Sequence, residues 1–377
     1  MGEKINVGVI FGGRSGEHEV SIRSARAVIE AIDREKYFVI PLSITREGRW
    51  LSPADSSRLL PDSTRSLLNP EITGVVESLT ILGDPTRRGL LSLDGSGKLT
   101  QANRLDVLFP VLHGTYGEDG TLQGLFDMAD VPYVGCGVLA SSCGMDKVTM
   151  KALFRDANLP ICRHIWFLRA EWEIEPAQII ERVKKELGLP CFVKPANLGS
   201  SVGVSRAHDA ESLKQAIDLA ACYDRKIMVE ELVNAREIEC AVMGNDEPVA
   251  SLPGEYVVHD QRAAFLDYTE KYSNTGHVEF VVPAPIPQHL ETQIREMSLR
   301  AFKSVDGSGL ARVDFFLRRE DDELLINELN TLPGLTEVSG FPKMWEASGM
   351  TFTMAIDRLI ELAFERQRDR SRNQTSF

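Results

Sequence analysis

GLARVDFFLR (residues 309–318) and, a few positions on, DELLINELN (residues 322–330) decide the fold of one end of this chain. Each is an apolar run with polar side chains at alternate positions, the pattern of an extended strand in which residues i and i+2 share a face. Arg312 and Asp314 therefore point one way in the first run, and Glu328 and Asn330 point one way in the second. The polar stretch 319–322 between them predicts an antiparallel hairpin. If its register pairs those faces, two carboxylates, an amide oxygen and a guanidinium converge. Such an oxygen set suits a hard cation like Mg²⁺, held partly by nucleotide phosphates. A solvent-facing sheet surface with an ordinary ion pair fits the same pattern. NTLPG (330–334) follows directly, and Gly334 can offer backbone donors without side-chain obstruction, as an anion site needs.

KPANLGSSVGVS (194–205) raises the matching question of phosphate. Lys194 closes an apolar strand, and Gly199, Ser200, Ser201 and Gly203 lie in the turn after it. The phosphate-loop order, with lysine after the last glycine, is absent, as is the G-x-G-x-x-G dinucleotide fingerprint. GGRSG at 12–16 misses that fingerprint too, because Phe11 stands where its first glycine belongs. A flexible loop between two strands can instead fold its N–H and hydroxyl groups over phosphates from above. A plain hairpin loop is the alternative.

A chain of 377 residues exceeds the roughly 250–300 that one core supports, so two or three domains are expected. The formal net charge of −13, with no basic stripe, argues against a nucleic-acid partner. No run approaches the ~18 apolar residues of a membrane span, so no membrane partner is expected, and MGEKINVGVIFGG lacks the features of a secretory leader. A cytoplasmic location is the expectation. Six cysteines without a C-x-x-C pair make a zinc site or disulfide framework improbable; reduced, mostly buried thiols are expected.

The pattern along the chain predicts an α/β and α+β fold in three parts. INVGVIFGG reads as a strand and Ser21 as the N-cap of a helix over 22–32, with a second strand near 37–44. Residues 52–103 read as loops with a short hairpin around LDGSGK (93–98). RLDVLFPVLHG (104–114) and the helix-spaced GTLQGLFDMAD complete an open α/β unit over 1–135. Mixed helices and strands occupy 136–235. Strands, a polar loop at 258–277, a long helix, two further strands and a final helix occupy 236–377. RQRDRSR (366–372) is expected to be a solvated, fraying helix terminus.

Eight segments in order resemble the ATP-grasp superfamily and, within it, the D-alanine–D-alanine ligases. They are GGRSGEHEVS, LHGTYGEDGTLQG, MDK, VKPANLGSSVGV, VEELVNAREIE, FLDYTEKY, ARVDFF and NELNTLPGLTEVS. The resemblance implies that ATP lies between the central and C-terminal units. Its γ-phosphate would pass to the carboxylate of one D-alanine, and the amine of a second D-alanine would attack the acyl phosphate. A D-alanine–D-lactate ligase, or another ATP-grasp carboxylate–amine ligase, is the alternative.

By the same resemblance Lys147, Lys194 and Lys271 hold ATP phosphates, with Ser201 and Phe265 among the other ATP contacts, and Glu230, Glu231, Val233 and Glu237 meet adenine and ribose. Asp314, Glu328 and Asn330 match ligands of two Mg²⁺ ions, replaceable by Mn²⁺. Glu17 matches the carboxylate that takes the first ammonium and forms a hydrogen-bonded set with Ser200 and Tyr272; a helix-N-terminal acid is its ordinary reading. His113 matches a substrate-side residue, or else a satisfied structural histidine. Arg312 and the Gly334 amide match the oxyanion donors, and Ser339 a ligand of the second carboxylate, or else a serine at a helix start. The 258–277 loop is expected to act as a lid that keeps water from the acyl phosphate. Its Lys271–Tyr272 pair favours dipeptide over the D-lactate ester, while Leu266 departs from a tyrosine that relatives can carry. A homodimer is also implied.

Overall fold

The computed structural model describes residues 4–68, 78–86, 90–93, 99–199, 202–258 and 278–374. The apolar run of β1 (Ile5–Gly12) is buried along nearly its whole length, because both faces of its sheet are covered: Val7, Val9 and Phe11 pack with Val28 and Ile356, and Ile10 with Leu122 and Phe126. Parallel neighbours flank it on both edges. These are β2 (Tyr37–Ile44), with Val7 opposite Val39, and β6 (Val107–Pro110), with Val7 opposite Val107. Gly12 ends the strand at φ +89°, where a Cβ would stand 2.4 Å from the Ile44 carbonyl oxygen.

Helix α1 (His18–Ala31) begins earlier than Ser21 predicts. Ser21 does not cap it. Its buried hydroxyl accepts from the Gly12 N–H at 2.8 Å and donates to the Val111 carbonyl at 2.7 Å, which ties the ends of β1 and β6 together. Between β2 and β6 lie α2 (Pro53–Ser57), α3 (Asp62–Arg65), β3 (Ser78–Thr80), β4 (Leu90–Leu93) and β5 (Leu99–Asn103). The antiparallel pair β4 and β5 is the hairpin expected around 93–98, whose residues 94–98 lie outside the described set.

The middle of the chain continues with α4 (Thr121–Met128), α5 (Val138–Met145), α6 (Lys147–Asp156), β7 (His164–Leu168), α7 (Arg169–Ile174), α8 (Pro176–Glu186), β8 (Cys191–Pro195), β9 (Ser205–Ala207), α9 (Ala210–Tyr223) and β10 (Lys226–Glu231). The strands pair antiparallel in the order β7-β10-β8-β9. Ile165, Val193, Ile227 and Val229 pack with Val183, Leu213 and Ile217 of α8 and α9. Strand periodicity then turns Lys194, Met228 and Glu230 to the opposite face.

A second antiparallel sheet has the order β14-β13-β11-β15-β16. Its strands are β11 (Ala235–Gly244), β13 (Gly254–Val258), β14 (Val278–Val281), β15 (Gly309–Arg318) and β16 (Leu324–Asn330), with the short β12 (Val249–Ala250) beside β11. The expected lid falls almost wholly on residues 259–277, outside the described set. Ile238, Cys240, Val242, Ala311 and Val313 pack on α10 (Gln288–Ser304). On the other face, Ala241, Met243 and Leu310 join a core with Val7 and Phe109 of the first sheet. Farther along that same face the residues become Glu237, Glu239, Arg312 and Asp314. One sheet face thus passes from an apolar anchor to a charged wall.

Where one final helix was expected there are two, α11 (Gly340–Ala347) and α12 (Phe352–Arg370), separated at Gly349, whose φ is +89°. The reading of RQRDRSR as a solvated terminus fails at its first residues. Arg366 donates to the Gly135 carbonyl, to Ser308 Oγ at 2.8 Å and to the Tyr133 carbonyl at 2.9 Å, and its guanidinium lies 4.2 Å from the Tyr133 ring centre. Gln367 and Arg370 reach Asp130 and Asp127. Backbone carbonyls at 133 and 135 supply the partners, and no sequence pattern announces them. Among the described residues no helix is long and apolar enough to cross a membrane. All six cysteines are free, and four of them are buried.

Arg366→Ala is expected to cost about 2 kcal/mol, the scale of hydrogen bonds to a charged donor, read as a lower urea midpoint. An unchanged midpoint would mean that apolar packing alone holds α12.

Candidate active site

On the charged wall Glu239 stands opposite Asp314, Asp314 opposite Glu328, and Arg312 opposite Asn330. The expected hairpin and its strand parity are both present. Arg312 donates from Nε and Nη2 to the two oxygens of Asp314 at 2.7 and 2.6 Å, and Asn330 Nδ2 donates to Asp314 Oδ2 at 3.1 Å. Arg312 Nε also lies 3.2 Å from Glu239 Oε1. Asp314 is only 8% exposed and Glu239 3%, which removes the reading as a solvent-facing surface. Three carboxylates side by side on adjacent strands repel one another, so the row calls for cations. Arg312 supplies one, and Lys147, 3.5 Å from Glu328, a second.

Among the described residues no group of three or more His, Cys, Asp and Glu side chains is placed to hold a metal alone. Asp314, Glu328 and the Asn330 amide oxygen nevertheless fit Mg²⁺, which takes much of its coordination from phosphate and water.

The phosphate side is built by α6. Asp146 caps it, accepting from the N–H groups of Val148 and Thr149 at 3.1 and 2.9 Å, and so starts the helix at Lys147. Lys147 and Lys151 then fall one turn apart on one face. Lys147 Nζ donates to the Leu198 carbonyl at 2.8 Å, at the threshold of the glycine-rich turn. Lys151 and Lys194 each place Nζ 2.6 Å from one oxygen of Glu230. The register shift after Asp314 leaves Asn327 out of the pairing between β15 and β16, and its carbonyl accepts from Lys151 Nζ at 3.0 Å. Burial would push the Glu230 carboxyl up, but the two lysines overcome this and hold it at about 2. Burial likewise lowers the Lys194 ammonium, and Glu230 more than restores it. Two ammonium groups on one carboxylate leave a positive surplus where an anion can sit.

The opposing wall comes from the first sheet. Glu17 occupies the N-cap position of α1, yet its side chain makes no capping bond. Its carboxylate lies against two glycines: a Cβ on Gly114 or Gly199 would stand 2.9 or 3.4 Å from Glu17 Oε2. The loop after β6 and the glycine-rich turn therefore meet at Glu17. Ser200, Ser201, Phe265, Leu266, Lys271 and Tyr272 lie outside the described residues. His113, 5% exposed, is satisfied at both nitrogens, Nδ1 by the Leu332 carbonyl at 3.1 Å and Nε2 by Ser24 Oγ at 3.1 Å. Burial lowers its pKa, and this pairing makes Nδ1 the protonated nitrogen of a neutral ring. Glu118 Oε2 accepts from the Gly114 N–H at 2.6 Å.

Glu17, His113, Glu118 and Gly199 line one cavity with Glu237, Glu239, Arg312, Asp314, Glu328, Asn330 and Gly334. Lys147, Lys194 and Glu230 stand beside it, behind Glu328. Glu231, Val233 and Ser339 are not on its wall. Glu231 accepts from Arg163 N and Nε at 2.7 Å each, and Val233 is half-buried in the connection between β10 and β11. Ser339 is the N-cap residue of α11, and its hydroxyl bonds Thr336 Oγ1 at 2.8 Å. Three residues on or beside the wall escaped the sequence reading. Lys151 was legible as the position one helical turn after Lys147, and Glu239 as the position two after Glu237 on a strand. Glu118 had no such signal, because its approach depends on how the Gly114–Gly120 loop folds.

Two antiparallel sheets, with Lys194 of one held near Glu328 of the other, are the architecture of an ATP-grasp enzyme. Residues 6–136 match the model described as D-ala D-ala ligase N-terminus, and residues 153–361 that described as D-ala D-ala ligase C-terminus. The chain is 44% identical over 375 residues to a D-alanine–D-alanine ligase from Natranaerobius thermophilus, covering 100% of this chain and 99% of that one. It is 46% identical over 372 residues to one from Heliobacterium modesticaldum, covering 99% and 98%. Among solved structures, the VanG D-Ala:D-Ser ligase from Enterococcus faecalis superposes with a TM-score of 0.81 at 34% identity, covering 96% of this chain and all of that one. The D-alanine-D-alanine ligase from Coxiella burnetii gives 0.79 at 33%, covering 98% and 97%. The chain belongs to the D-alanine–D-alanine ligase family.

Burial first, and then the charge of Glu17, push the Glu118 carboxyl up to about 8. Between about pH 4.5 and 8 the folded chain thus binds a proton there that the unfolded chain has lost, and stability falls as pH rises through that window. Glu118→Gln is expected to flatten this fall, so that the melting temperature of the ligand-free variant drops less between pH 5.5 and 8.5. Parallel melting curves for variant and parent would exclude the shift.

Proposed function

We propose that this chain joins two D-alanines into D-alanyl-D-alanine at the expense of ATP, releasing ADP and phosphate, for the synthesis of peptidoglycan precursors. The observation that carries the reading is the charged wall of Arg312, Asp314, Glu328 and Asn330, flanked by the lysine pair on Glu230 and faced by Glu17. Phosphoryl transfer is mainly positioning and charge neutralisation, and this wall is suited to both.

Lys147 and Lys194, with Lys271, hold the phosphates of ATP, and Ser201 and Phe265 complete the nucleotide contacts. Glu237 fits a ribose contact because it stands on the cavity wall. Glu230, Glu231 and Val233 meet adenine and ribose, partly through their backbone groups, since the carboxylates of Glu230 and Glu231 already hold Lys194 and Arg163. Asp314, Glu328 and Asn330 would hold two Mg²⁺ ions, or Mn²⁺, which neutralise charge on the transferred phosphoryl oxygens. Glu17 takes the ammonium of the first D-alanine, in a set with Ser200 and Tyr272, and neutral His113 fixes the loop beside it. The first carboxylate attacks the γ-phosphorus, the bond to the bridging oxygen breaks, and ADP leaves as the acyl phosphate forms. The second amine, having lost a proton, attacks the acyl carbon, and phosphate leaves. Arg312 and the Gly334 N–H meet the negative charge that develops on the acyl oxygen. Ser339 anchors the second carboxylate, which requires its hydroxyl to turn from Thr336. A cytoplasmic homodimer organised as 1–135, 136–235 and 236–377 accords with this role.

Incubated with ATP, Mg²⁺ and D-alanine, the protein is expected to form ADP and dipeptide in equal amounts; ADP formed without any need for D-alanine would overturn the reading. Arg312→Ala should cost on the order of 10² to 10³ in turnover while the chain stays folded. Offered D-alanine, D-serine and D-lactate as acceptor at neutral pH, the enzyme should prefer D-alanine, and a clear preference for D-lactate would refute the dipeptide assignment.

A further inference from the structure

Arg312 is held from two sides, and the two holds differ in kind. Asp314, two residues along the same strand, accepts from its Nε and Nη2 at 2.7 and 2.6 Å. Glu239, on the neighbouring strand β11, sits 3.2 Å from Nε. The Asp314 hold is the one that a divalent cation disturbs. A metal drawn to the Asp314 oxygens competes for their lone pairs and repels the guanidinium as a like charge, at a separation where such repulsion is strong. Glu239 is protected from that competition. It lies on the far side of Asp314 from Glu328, because β15 runs between β11 and β16. It is 3% exposed, and a Cβ on Gly340 would meet its Oε2 at 2.5 Å, so glycine at that position is what gives the carboxylate its room.

We propose that Glu239 is the positioning residue that keeps the Arg312 guanidinium aimed at the acyl oxygen while a divalent cation occupies Asp314. This rests on the role given to Arg312 above. Glu239 takes no part in nucleotide binding and does not touch the reacting atoms. It supplies a fixed negative charge that the metal cannot recruit, so that one aspartate can serve the cation without releasing the arginine. The first half-reaction, which forms the acyl phosphate, does not need Arg312 in place, whereas the second does.

The test measures ADP and dipeptide separately for Glu239→Gln, Glu239→Asp, Arg312→Ala and the Glu239→Gln/Arg312→Ala double variant, with melting temperatures of each ligand-free chain. Glu239→Gln is expected to lower dipeptide turnover about tenfold or more, to leave the KM for ATP within about twofold, and to raise the ADP formed per dipeptide as stranded acyl phosphate meets water. Glu239→Asp keeps the charge but withdraws it by one methylene, and should raise that ratio in the same direction, which covers the case in which the glutamine variant does not fold. In the double variant dipeptide formation should fall no further than in Arg312→Ala alone. In the ligand-free chain Glu239→Gln should lower the melting temperature of the parent by more than it lowers that of Arg312→Ala, where the contact with the guanidinium is already gone. Wild-type ADP-to-dipeptide ratios in both Glu239 variants, or losses that multiply in the double variant, would overturn the proposal. Wild-type turnover in Arg312→Ala would instead sink the role assigned to that arginine.

Discussion

One carboxylate held between two ammonium groups, almost out of reach of water, fixes how the two sheets of the grasp confront each other. Glu230 belongs to β10, Lys194 to β8 and Lys151 to α6, and Lys151 reaches on to the Asn327 carbonyl of β16. Breaking such a buried set by removing one partner strands a charge in a poorly solvated place, which typically costs about 3–5 kcal/mol. The relative position of the sheets is therefore specified by charge as well as by shape. The two ammonium groups on Glu230 also make that end of the site complementary to an anion before one arrives, while the row of carboxylates beside it calls for cations. Preorganisation of this kind lowers the reorganisation needed when charge shifts during phosphoryl transfer.

The sheet register extends this constraint. Because Glu239, Asp314 and Glu328 stand in line across three strands, a slip of one residue in β15 would turn Arg312 and Asp314 into the apolar layer under α10 and bring Val313 to the cleft. The apolar end of the same face, Ala241, Met243 and Leu310 against the first sheet, guards against that slip. Stability and chemistry are thus encoded on one pair of strands, by the residues at its two ends.

What the sequence disclosed follows from periodicity. Alternation put Arg312 with Asp314 and Glu328 with Asn330, and the structure keeps those pairs on one wall. Apolar runs located β1, β2, β6, β15 and β16, but not β14, whose four residues follow directly on the polar loop. Local pattern misled wherever a side chain had a distant use. Ser21 looks like a helix cap and instead bonds Gly12 and Val111, 9 and 90 positions away. Arg366 looks like part of a solvated basic tail and instead finds carbonyls more than two hundred residues upstream. Ser339 and His113 keep their ordinary structural bonds even though motif order links them to substrate, and sequence cannot distinguish a residue that does one job from a residue that does two.

Docking of α12 has a consequence for how the chain is made. Ala355, Ile356, Leu359 and Ile360 share a core with Val7, Val9 and Phe11, which leave the ribosome roughly 350 residues earlier, some tens of seconds at ordinary elongation rates. β1 must therefore wait until α12 is made before that side of it is covered. Ribosome-bound fragments that stop short of residue 352 should therefore resist proteolysis in the β7-β10-β8-β9 unit before they do so around β1.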